Sequence, residues 1–169
     1  MVFAYYSRLT RSQQRIYRRS DEITTIPLPQ DTPLHPLIEE LAEALKHEER
    51  RKIEALSQEL ISTLTARLKV PPVQVEVLSA RPSKDWGELH GLYTPAEGRK
   101  PGRVTVWMRT AKHRRVVAFR TFLRTLLHEL CHHLDYKLFG LEETFHTEGF
   151  YKRESSLFHQ LMRNQVQTS

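Results

Sequence analysis

Leu126-Leu127-His128-Glu129-Leu130-Cys131-His132-His133-Leu134-Asp135 is the stretch on which the reading of this chain turns. It lies in the strongest helical pattern of the sequence. Val116, Phe119, Leu123, Leu126, Leu127, Leu130, Leu134 and Leu138 recur at helical spacing and predict a helix from about Lys112 to Leu138, ended by Gly140. On that helix His128 and His132 stand one turn apart on one face, so both imidazoles can reach a single metal ion. Glu129 lies about 100° further round, where it can take a proton from a water without being a ligand itself. The spacing is the HExxH pattern of zinc-dependent hydrolysis. The composition of the chain gives roughly 0.04 chance occurrences of it, so coincidence explains it poorly. The other His-Glu pair, His47-Glu48, has Arg51 where a second histidine would stand and reads as helix surface.

Two histidines are not enough, because a catalytic zinc commonly has three protein ligands and an open position. Asp135, Glu142, Glu143, His146, Glu148 and Glu154 are the candidates for the third. Asp135 is on the right face but lies about 10 Å further along the axis than His128, too far to share the ion. It is expected instead to accept a hydrogen bond from a metal-ligating ring and hold its tautomer. A ligand on the segment that returns after Gly140 has no such difficulty. Cys131 points away from the metal face and reads as packing, and His133 as structural or at the cleft edge.

Outward from the helix, the chain reads as α+β. Val73, Val75 and Val77 alternate with polar residues and predict a strand after Pro71 and Pro72. A second strand is expected around Leu89 to Tyr93 and a third at Arg103 to Met108. Before them, Pro36 to about Lys69 carries leucines and isoleucines at helical spacing, as one long helix or two abutting ones. A final helix is expected from about Thr147 to Gln165. Residues 1–32 read as a basic extension, helical over Arg8 to Arg19 and broken by the Pro27 to Pro33 stretch, appended to a single domain over 33–169.

The 169 residues include 39% hydrophobic and 27% charged side chains, a balance that suits one folded core. A lone cysteine excludes a disulfide framework and any cysteine-rich zinc module. With no 18-residue apolar run and no signal-like N-terminus, the expectation is a cytoplasmic protein with no membrane partner. The net charge of +6 is uneven. Residues 98–127 hold nine Lys or Arg and no acid, a field that makes non-specific nucleic acid a candidate partner. Oligomeric state is not legible.

His128-Glu129-Leu130-Cys131-His132, followed by His146-Thr147-Glu148-Gly149-Phe150, resembles the SprT-like metalloproteases, and the order of elements resembles a zincin. In that family a third histidine opens a short HGxxF-type motif. Here Thr147 stands in place of its glycine, and no four-cysteine ribbon follows. The resemblance spans roughly Val73 to Leu161. It implies one zinc ion held by His128, His132 and His146; position on the returning segment leaves Glu148 and Glu154 as the alternatives to His146. It also implies a protein or peptide substrate, cleaved by a metal-activated water with Glu129 as base near DNA, and laid as an added strand along an edge strand at Arg103 to Met108. Two other readings remain: a non-catalytic module that keeps zinc for stability, and a metal-dependent hydrolase of a non-peptide bond.

Overall fold

The computed structural model describes residues 2–29, 34–80, 83–84, 87–88 and 91–166. A short 3-10 turn, Ala4–Arg8, leads into α1 (Arg11–Glu22). The start of α1 is fixed by a capping box: Thr10 Oγ1 accepts from the Gln13 backbone and the Gln13 side chain accepts from the Thr10 backbone. The Pro27 to Pro33 stretch expected to break the chain lies partly outside the described residues. The helical pattern that follows resolves into two helices, α2 (His35–Lys46) and α3 (Arg50–Arg67). They part at Glu48, whose φ of 54° is left-handed.

Then come β1 (Val73–Ala80), the two-residue strands β2 (Ser83–Lys84) and β3 (Gly87–Glu88), which pair with each other, and β4 (Gly91–Thr94). The strand expected over Leu89 to Tyr93 is β4; residues 89 and 90 lie outside the described residues. β5 (Gly102–Arg109), α4 (Phe119–Lys137) and α5 (Glu148–Val166) complete the order. The molecule is α+β, with five α-helices and a small mixed sheet among the described residues.

The sheet order is β1-β5-β4, with β5 parallel to β1 and antiparallel to β4. This corrects the expectation that Arg103 to Met108 is an edge strand: it is the central one. Alternation of Val104, Val106 and Met108 reports which face meets the core, and says nothing about whether both edges are paired. Burial of Val104 through Met108 without a break is the mark of the central position. The edge beside α4 is β4.

The main helix also begins later than its pattern suggests. Val117 N–H donates to Met108 O and Thr110 N–H to Arg115 O, so residues 110–118 form a turn folded back on the end of β5. Arg114 sits there at φ 49°. Val116 continued the apolar spacing of the helix by coincidence of packing: it lies against the core from this turn.

The core joins α2, α3, the sheet, α4 and α5. Residues 2–29, expected as an appendage, pack into it. Ile16, Tyr17, Ser20 and Ile26 are buried. The backbone of Ile26 and Leu28 is held by Ser156 and Gln160 of α5, with Leu28 N–H donating to Gln160 Oε1 at 2.8 Å and Gln160 Nε2 to Ile26 O at 2.8 Å. At Gly149 a β-carbon would stand 2.5 Å from Ser20 O, so only glycine lets α5 begin this close to the end of α1. Basic charge and the prolines that follow made this segment look detachable, although Ile16, Tyr17 and Ser20 fall on one face of α1. Among the described residues, no helix is long and apolar enough to cross a membrane.

Candidate metal centre

Helix α4 presents His128 and His132 one turn apart. Gly140, at φ 62°, then turns the chain back so that His146 reaches the same point just before α5 begins. His146 Nε2 lies 3.1 Å from His128 Nε2 and 3.0 Å from His132 Nε2. The three rings rest on Phe150, which is fully buried and has its ring centroid 4.7 to 5.2 Å from each of theirs.

What lies behind two of the rings fixes which nitrogen is free. His128 Nδ1 is 2.7 Å from Glu154 Oε1; a carboxylate only accepts, so Nδ1 carries the hydrogen and, in the neutral ring, Nε2 keeps the lone pair. Behind His132 stands Thr144, whose hydroxyl donates to Asp135 Oδ2 at 2.7 Å. Its oxygen therefore accepts from His132 Nδ1 at 2.8 Å, and again Nε2 is left with its lone pair. Two lone pairs thus face one point, with at most one N–H on His146 Nε2 to share between them. Such a cluster repels itself unless a cation stands at its centre. Three neutral imidazole nitrogens are a donor set suited to zinc, and their spacing is close to that of ligands bound at about 2.0–2.1 Å.

Electrostatics favour the neutral form of His132 and of His146. Burial, with the neighbouring His146 and His128, lowers the pKa of His132 to about 3. Burial of its ring and then His128 lower that of His146, against the pull of Glu154, although the residue as a whole is exposed at the cleft mouth. Glu129 is 6% exposed, and burial first of all raises its pKa to about 7; His128 lowers it and Glu154 adds to the rise. A carboxyl group poised near neutrality suits proton transfer in both directions.

The cluster opens into a cavity of about 660 Å³, walled by Gly91, Leu92 and Tyr93 of β4 on one side and Thr121, Arg124 and Thr125 of α4 on the other. A β-carbon on Gly91 would stand 2.9 Å from Glu129 Cγ and 2.9 Å from Thr125 Cγ2. The absence of a side chain there lets the edge strand lie directly against the carboxylate. His133 ties the wall in place: its Nε2 donates to Pro71 O at 2.8 Å, so Nδ1 accepts from Tyr93 OH at 2.9 Å.

His128, Glu129, His132 and His146 are therefore brought together, and Asp135 is close but one hydroxyl removed. It reaches His132 through the Thr144 hydroxyl, which stands between the carboxylate and the ring. The carboxylate that does bond a ring is Glu154, considered from sequence only as an alternative ligand. Sequence assigns no role to Thr144 and marks Phe150 only as the end of the motif that His146 opens. A signal existed: Phe150 and Glu154 are one turn apart on α5 and so share a face. Glu142 is exposed, Glu143 accepts from Gln13 at 3.4 Å and Glu148 pairs with Lys152 at 3.2 Å. Cys131 is buried and its thiol pKa is pushed up by burial, as befits packing. No protein-family model, curated protein or solved structure matches this chain.

Proposed function

We propose that the chain is a zinc-dependent metallopeptidase of zincin type, similar to the SprT-like proteases, that hydrolyses peptide bonds in a protein or peptide substrate. The observation that carries this reading is the convergence of three Nε2 atoms, two with lone pairs enforced by Glu154 and Thr144, beside a buried carboxyl group in an open cleft. A zinc ion held by these histidines would supply a Lewis acid for the scissile carbonyl and acidify the attacking water. Glu129 would take that water's proton on its carboxylate and pass it to the departing amine nitrogen, so the group returns to its starting state. A carboxyl group beside the ligands is hard to explain in a purely structural site, which has no proton to move. The substrate would lie extended against β4, an edge strand that walls the cleft, and not against β5 as the sequence suggested.

The test is cleavage of a broad peptide library by zinc-loaded protein, with a chelator abolishing the activity and added zinc restoring it. Tight zinc binding without cleavage of any peptide would favour a zinc-stabilised module. Cleavage confined to esters or other non-peptide bonds would move the substrate class and leave the metal centre standing.

A further inference from the structure

His132 and His146 are held from behind by groups that lead away from the cleft to one place, the N-terminal segment. Arg153 is fully buried. One of its terminal nitrogens donates to Asp135 Oδ1 at 2.9 Å and to Ser20 Oγ at 3.0 Å, and the other to the carbonyls of Ser20 and Ile23 at the end of α1. Asp135 in turn fixes the Thr144 hydroxyl, and Thr144 fixes His132. On the other side Tyr5 OH donates to the backbone carbonyl of His146 at 2.8 Å, and Tyr5 is itself packed edge-on to the buried ring of Tyr17 in α1. A wholly buried arginine, with Nε lacking a partner, is costly to keep, and apolar residues could fill the same space. What apolar residues could not do is donate three hydrogen bonds to the end of α1 and a fourth to Asp135.

We infer that the N-terminal segment is a working part of the metal centre: Arg153, through Asp135 and Thr144, and Tyr5, through the His146 carbonyl, are positioning residues that aim His132 and His146 at the ion. The inference rests on the metal-centre reading above and adds what controls its affinity and geometry. Seating of residues 2–29 against α5 and metal binding are then linked, each favouring the other.

The full-length chain tests this with zinc affinity, measured by chelator competition, and with the visible absorption of the cobalt(II)-substituted protein, which reports ligand geometry independently of activity. Thr144→Val keeps the shape and removes the hydroxyl; it should weaken zinc binding by about 10–100-fold and shift the cobalt bands, while Thr144→Ser stays within about threefold of wild type. Tyr5→Phe should weaken zinc by about three- to tenfold, and Arg153→Lys, which keeps charge but loses the forked geometry, by at least as much. If Arg153→Lys does not fold, Thr144→Val and Tyr5→Phe decide alone. Folded Thr144→Val and Tyr5→Phe proteins with wild-type zinc affinity and unchanged cobalt spectra would overturn the inference while the metal centre stands. A wild-type chain that takes up no zinc or cobalt would instead overturn the metal-centre reading itself.

Discussion

Glu129 is held out of water beside two histidines, and the cost of its charge in that setting yields a prediction for the metal-free protein. Its folded pKa of about 7 lies above the ordinary value of 4.5, so the native state binds the proton more tightly than the unfolded one. That contribution is fully present below about pH 4.5 and is lost as pH rises through about 7, on the order of 3 kcal/mol in all. His132 has the opposite sign: its depressed pKa costs stability as pH falls from 6.5 toward 3. Comparison with Glu129→Gln isolates the first effect, because the histidines are common to both proteins. Metal-free wild type should lose stability between pH 4.5 and 8 relative to that variant in denaturant melts; parallel curves would mean that the carboxyl group is hydrated after all. His128→Ala, His132→Ala and His146→Ala should each release the metal, since each removes a ring nitrogen from the cluster, whereas Glu154→Gln should retain it with reduced affinity. Elemental analysis checks all four, and zinc lost in Glu154→Gln but kept in His146→Ala would make Glu154 the ligand.

At the scale of elements, the cleft depends on β4 lying close to α4, and Gly91 is what permits it. Gly91→Ala should leave zinc in place but push the strand from Glu129, lowering kcat/KM by about tenfold or more, as small misplacements near the chemistry do. Unchanged kinetics would mean that substrate does not use this wall. Gly149→Ala meets backbone carbonyls of Ser20 and Asp21 that cannot swing aside, and should cost about 1–3 kcal/mol in thermal or denaturant unfolding. Much of this arrangement is written in sequence. Helical spacing found α4 and its paired histidines, and Gly140 marked the reversal that brings His146 back. The parts that were not legible depend on long-range partners: which strand is central, which hydroxyl stands between Asp135 and His132, and which α5 carboxylate meets His128. Local periodicity shows the face that an element buries and carries no record of the neighbour it is buried against.

Across the whole molecule, sequence proximity also misleads about charge. The run 98–127 contains no acid, yet Arg103 pairs with Glu76, Arg109 with Glu48 and Arg124 with Glu154, all from elsewhere in the chain. Lys112, Arg114 and Arg115 stand exposed on the turn before α4 and are where contact with nucleic acid would fall. Such contact is expected to ignore base sequence and to weaken steeply with salt; reversing these three residues to glutamate should abolish it without loss of zinc, and binding that persists at about 0.5 M salt would require a different surface. The central claim concerns the molecule as an enzyme: a zinc ion on His128, His132 and His146, with Glu129 moving the proton. Its most direct test is the peptide-cleavage rate of Glu129→Gln beside wild type, both carrying one zinc per chain. The amide is nearly the same shape and cannot accept a proton, so the variant should bind zinc as wild type does and lose activity by about 10²–10⁴-fold. Equal rates at equal zinc content would contradict the assignment of Glu129 and, with it, the mechanism proposed for this site.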